Sequence, residues 1–104
     1  MKKKKPTKLT SEELLKRVRS AVESGDYLDT RHATDRKNMR GISRLEIEYV
    51  LKTGWHEKRK DKFDEAYSSW NYAIRGKSID ERDLRIAITF QDKMLIITAM
   101  EVGK

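Results

Sequence analysis

Hydrophobic positions crowd into the last quarter of the chain. Leu84, Ile86, Ile88 and Phe90 alternate with Arg85, Ala87, Thr89 and Gln91, the period of a strand with one buried face. Asp92-Lys93 interrupts the pattern, and Met94 to Met100 then runs apolar on both faces, as expected of a strand covered from two sides. Two such runs joined by about two residues predict an antiparallel hairpin. Upstream, Trp70, Tyr72 and Ile74 alternate with Asn71, Ala73 and Arg75 as a third strand. Trp55 to Lys60 is a charged strand candidate suited to an exposed or edge position. Phe63 to Ser68 reads as a loop, and Gly76 to Asp83 as a polar connection.

The first half of the chain has a helical period. Leu14, Leu15, Val18, Ala21 and Val22 share one face of a helix from Leu9 to Gly25. Thr10 and Glu13 form a capping box there, with a staple between Leu9 and Leu14, and Gly25 suits a left-handed exit. Tyr27 to Thr30 is a short link. Asp29 or Thr30 caps a second helix, Arg31 to Arg40, closed by Gly41. A third helix opens at Ile42-Ser43 with a second box, Ser43 and Glu46, carries an apolar stripe of Ile47, Val50 and Leu51, and ends at Gly54. Helices followed by four strands predict an α+β domain: an antiparallel four-stranded sheet with N-terminal helices packed on one face.

Composition narrows the class. The 104 residues are 39% charged and 37% apolar, but the apolar ones are periodic, so a single folded domain over residues 9–104 is expected behind a flexible lysine-rich tail at 1–8. No cysteine is present, which removes disulfides, thiol nucleophiles and thiolate metal sites. No apolar run is long enough to span a bilayer, and the tail leads into Pro6 and a polar helix rather than a signal-peptide core. A cytoplasmic protein without a membrane partner is the expectation. The net charge is +7, and it is concentrated in the tail and in residues 31–62. Folding can gather that internal block onto one surface that attracts polyanions.

The predicted second helix puts His32, Arg36 and Arg40 at three- and four-residue spacings, so one face can present a histidine beside two guanidinium groups. Arginine clamps phosphate bidentately and histidine moves a proton near neutral pH, a pairing suited to phosphodiester chemistry without metal or cofactor. The same residues can equally make local ion pairs and a cap. Lys58, Arg75 and Arg85 would extend a phosphate-binding surface across the sheet if they leave it on one side. Trp70 and Tyr72 can stack bases; sharing a face with Ile74, they can also be core aromatics. His56, in a highly charged stretch, reads as exposed. Two distant histidines give no zinc pattern, and five scattered glycines give no phosphate loop.

His32-Ala33, Arg36, Arg40-Gly41-Ile42-Ser43, Val50-Leu51 before Gly54, Tyr72-x-Ile74-x-Gly76 and Ile96-Ile97-Thr98 together resemble the DUF4258 family. That family is itself similar to the RelE/ParE superfamily of small bacterial toxins, including the MqsR and BrnT types. The resemblance implies a RelE-like sheet with helices on one side, cleavage of free or ribosome-bound mRNA, and a cognate antitoxin protein as partner. Of the catalytic positions of MqsR-like toxins, Lys58 is matched and a glutamine becomes Asn71, whereas Asp83 and Met100 stand where a tyrosine and a lysine are found. Catalysis would then lean on His32, Arg36 and Arg40. The rival reading is a non-catalytic module: Arg36 to Leu51 mimics a helix-turn-helix, but Lys37 sits where a small apolar residue packs the two helices, and Glu46 and Glu48 suit a phosphate-lined groove poorly. A basic surface for an acidic protein partner is the third possibility.

Overall fold

The computed structural model describes residues 6–30 and 41–103. The first five residues of the lysine tail and the whole predicted second helix, with His32, Arg36 and Arg40, lie outside them. Among the described residues there are two α-helices, α1 (Ser11–Ser24) and α2 (Arg44–Thr53), and six strands. The strands are β1 (Tyr27–Asp29), β2 (Trp55–His56), β3 (Lys62–Asp64), β4 (Ser69–Lys77), β5 (Asp83–Phe90) and β6 (Met94–Glu101).

Both helices start where local chemistry says they should. Thr10 accepts the Glu13 N–H at 3.1 Å while the Glu13 carboxylate accepts the Thr10 N–H at 3.0 Å. Ser43 and Glu46 repeat the exchange at 3.1 and 3.0 Å. Each box satisfies two N–H groups that a helix cannot satisfy itself. Gly25 closes α1 at φ 74°, the left-handed exit that glycine adopts without penalty.

The sheet runs β1-β6-β5-β4-β2, with β3 pairing β4 beyond β2. The expected hairpin is β5–β6, the expected third strand is β4, and all three are antiparallel neighbours. Around this centre the sheet is larger than expected and mixed. Tyr27–Asp29, read as a link, is a strand lying parallel to β6; three residues are too few to show a period. The expected strand Trp55–Lys60 keeps its edge position but only two residues of pairing, because Lys58–Lys60 winds into a 3₁₀ turn. The chain then returns to β4 as β3, taking Lys62–Asp64 into the sheet where a loop was expected from Phe63.

Both helices cover one face of the sheet. Leu14, Val18 and Val22 of α1 and Ile47, Val50 and Leu51 of α2 join Tyr72, Ile74, Leu84, Ile86, Ile88, Met94, Ile96 and Ala99 in one core. Where α2 leaves toward β2, backbones meet closely. A Cβ on Gly54 would lie 2.5 Å from the Arg75 carbonyl oxygen, and one on Gly76 would lie 2.9 Å from Gly54 Cα. β6 departs from expectation on its second face. Met94, Ile96 and Ala99 are buried under the helices, while Leu95, Ile97, Thr98 and Met100 are only half-buried. No second layer covers them among the described residues, and that half-covered apolar face is where a site can form.

Candidate functional site

Directly opposed residues of antiparallel strands point to the same side of a sheet. Trp55 pairs with Arg75, Arg75 with Arg85, and Arg85 with Met100. These four form one row on the helix-free face, and Ala73, Ala87 and Thr98 form the next. The β5–β6 register then shifts, leaving Ile97 as the additional residue of a bulge. Beyond it, Lys62 stands opposite Asn71 and Thr89 opposite Leu95.

Arg75 and Arg85 leave the sheet on one face, the condition on which a phosphate surface across it depended, but they are not free. Like charges facing each other across strands repel, and Glu57 relieves the repulsion. Its carboxylate, 1% exposed, accepts Arg75 Nη1 at 2.8 Å, Arg85 Nε at 2.7 Å and Arg85 Nη2 at 3.1 Å. Asp83 takes the other edge of Arg75 bidentately, both contacts at 2.8 Å. Hydrogen bonds from Arg85 outweigh desolvation and hold the Glu57 carboxyl below its usual range, with Arg75 adding to the effect. Arg75 does the same for Asp83. Two guanidinium groups against two carboxylates leave this cluster without net charge. What remains available is Arg85 Nη1, whose contact is the weakly accepting Met100 sulfur at 3.7 Å.

Two cavities adjoin along this face. One, of about 330 Å³, has Ala87, Ile97, Thr98 and Met100 as an apolar floor, with Lys60, Lys62, Arg85 and Asn71 around it. The other, of about 420 Å³, shares Asn71 and Ile97. Its further polar groups are Thr30, Ser69, Thr89, Gln91, Tyr67 and Asp64, over Leu95. Both sizes suit small-molecule or nucleotide-sized groups. Lys60 and Lys62 make no ion pair with any described carboxylate. One compartment is therefore cationic, whereas the other holds no cation among its lining residues.

The remaining expected residues fall elsewhere, except that Tyr72 lines the first cavity from the core side. Lys58 lies in the 3₁₀ turn, exposed, and lines neither cavity. Trp70 faces the helix side, edge-on to Phe63 at 5.3 Å with Lys8 over its ring, and its indole N–H donates to the Pro6 carbonyl at 2.9 Å. The Tyr72 ring is in the core and its hydroxyl accepts the Leu9 N–H at 3.0 Å. Both rings pack on the helix side, Tyr72 in the core and Trp70 against it; Tyr72 is also among the residues lining the cavity of about 330 Å³, whereas Trp70 lines neither. His56, expected to be exposed, is buried. Its Nδ1 shares a 2.7 Å hydrogen bond with the Ser11 hydroxyl, and its Nε2 lies 2.8 Å from Asp61. Asp61 also accepts Lys8 and the Ala73 N–H. The order Ser–His–Asp is that of a nucleophilic triad, but Ser11 lines neither cavity, and His56 and Asp61 are each 1% exposed. It fastens the start of α1 to β2. No cluster of metal-ligating side chains occurs among the described residues, and no described helix is long and apolar enough to cross a membrane.

The family described as Domain of unknown function (DUF4258) matches the chain over residues 30–101. The chain belongs to the DUF4258 family. No curated protein and no solved structure matches it. The matched DUF4258 span contains α2, β2 to β6, Glu57 and every residue lining the two cavities, but neither α1 nor β1. It also contains His32, Arg36 and Arg40, which lie outside the described residues. Within this DUF4258 sheet, sequence reasoning missed Glu57, because an acid inside Trp55–Lys60 looks like part of a solvated charge run. Its one signal is spacing: Glu57 is two residues past Trp55, so in a strand both leave on the same face.

Proposed function

We propose that the helix-free face binds RNA and that the protein is a toxin-like endoribonuclease working without metal. The observation that carries this reading is the groove itself: Lys60, Lys62 and Arg85 stand over an apolar floor in a cavity of about 330 Å³. Lysine and arginine attract phosphate and the floor accepts a base. Cleavage would be a transesterification in which the ribose 2′-oxygen attacks the adjacent phosphorus. The bond to the 5′-oxygen breaks, a 2′,3′-cyclic phosphate forms, and one proton leaves the 2′-oxygen while another reaches the 5′-oxygen. His32 is the proton carrier in this reading, with Arg36 and Arg40 on the phosphate. RelE-like kinship and neutralisation by an antitoxin belong to the same proposal.

A non-catalytic RNA-binding module is the second reading. It is favoured by one specific feature: the carboxylates beside Arg75 and Arg85, Glu57 and Asp83, are both clamped by guanidinium groups and unsuited to carrying protons. A helix-turn-helix is disfavoured, since the start of α2 is occupied. Arg44 donates to the Tyr27 hydroxyl at 2.9 Å, and Glu46 accepts Arg82.

Purified protein incubated with mRNA, with and without ribosomes, decides between cleaver and binder. Products ending in cyclic phosphate, absent with His32→Ala and Arg36→Ala, are the expected result. Binding without any cleavage under either condition would leave only the second reading.

A further inference from the structure

Two large rings stand exposed at opposite ends of the cationic track. Trp55, 54% exposed, lies opposite Arg75 and so leaves the sheet on the helix-free face. Tyr67, 72% exposed, stands in the turn between β3 and β4 and lines the second compartment, which holds Asp64 and no lining cation. Asp64 accepts the N–H groups of Ala66 and Tyr67 at 3.0 and 3.3 Å, which fixes the backbone from which the ring projects. Between Arg75 and Ser69, roughly 20 Å of β4 runs from one end to the other, and Lys60, Lys62 and Arg85 lie along it.

We propose that Trp55 and Tyr67 are base-stacking platforms, and that the face takes a single strand of RNA laid along β4. Phosphates sit on Lys60, Lys62 and Arg85 between the two rings. This rests on the RNA reading above and names the form of RNA it requires. A duplex hides the π-faces of its bases inside its own stack, so it can offer phosphates to the lysines but nothing to the rings. A single strand offers both. The compartment without lining cations supports the same division. The amides of Asn71 and Gln91 and the hydroxyl of Ser69 can meet base edges, and no described lining cation competes there for a phosphate.

Fluorescence anisotropy at low salt tests this with three labelled probes of equal length: single-stranded RNA, the same strand in a duplex, and an abasic ribose-phosphate strand. The expected order of affinity puts the single strand first. Trp55→Ala and Tyr67→Ala should each weaken single-strand binding by about fivefold or more and leave the abasic strand unchanged. Trp55→Tyr, which keeps a ring, should restore most of the loss. Both side chains are outside the core, so thermal melting of the variants should match wild type. Equal binding of single and abasic strands, variants indistinguishable from wild type, or a preference for duplex would overturn the stacking proposal while leaving RNA binding standing. Failure of wild type to bind any of the three probes would remove the RNA reading itself, and this inference with it.

Discussion

Glu57 keeps a negative charge with almost none of its side chain in water because three guanidinium N–H groups point at its two oxygens. Removing one partner of such a cluster costs more than the cluster contributes, since the rest are left uncompensated. Glu57→Ala should therefore destabilise the fold by about 3 kcal/mol in urea titration, and Glu57→Gln by less. The sign of the pH effect follows from the depressed carboxyls. Glu57, Asp83 and Glu46 have folded values below their unfolded ones, so their stabilisation is complete above about pH 4–4.5 and is lost as pH falls through the folded values. The urea midpoint of wild type should drop as the solution is acidified below about pH 4. For Glu57→Gln the drop should be shallower; an unchanged slope would mean that the two arginines do not hold Glu57 in its charged form.

At the scale of elements, the edge facing β4 is a single bent strand rather than two unrelated ones. β2 pairs with β4, Glu57 N–H continues the ladder to the Ala73 carbonyl at 2.8 Å, and β3 resumes it after the 3₁₀ turn. The turn expels Lys58–Lys60 from the ladder, and Lys60 reaches the groove while Lys58 does not. A strand continued straight through these residues would have followed the periodicity but forfeited that placement. On the opposite side, α2 can approach β4 only because Gly54 and Gly76 lack side chains. Gly76→Ala brings a Cβ to 2.9 Å from Gly54 Cα, and such overpacking against backbone costs about 1–3 kcal/mol. A fall in melting temperature with the fold retained by circular dichroism is expected. The capping boxes were readable in the sequence because each joins residues three apart; the close approach of Gly54 and Gly76 was not, because it joins residues distant in the chain.

For the whole molecule, formal charge overstates what is available to a polyanion. Arg75, Arg82 and Arg85 are all held by carboxylates, so the described groove relies chiefly on Lys60 and Lys62, with Arg85 offering only its Nη1 edge. RNA affinity should fall as salt rises. The double variant Lys60→Ala/Lys62→Ala should lower the slope of log affinity against log salt by about 1.4, at roughly 0.7 for each single-strand phosphate that a lysine no longer neutralises. Arg75→Ala should change stability far more than that slope. If the slope is insensitive to both lysines, the groove is not where phosphate binds. An acidic protein partner occupying the same face would compete with RNA, which a titration of one against the other would reveal.

Periodicity and capping are local, so the sequence by itself determined α1, α2 and the β4–β5–β6 core of the sheet; that Arg75 and Arg85 share a face was settled by the β4–β5 register. Which charges cancel is a property of neighbours in space. Glu57 lies 18 residues from Arg75 and 28 from Arg85, and no spacing rule links them. The shared face of Trp70 and Tyr72 with Ile74 already pointed them to the core side, whereas the three-residue parallel strand β1 and the burial of His56 against Ser11 and Asp61 were likewise decided by packing. The same holds for the groove: an uncovered second face of β6 becomes a site only because the helices lie on the other side and the bent β2–β3 edge brings lysines to its rim.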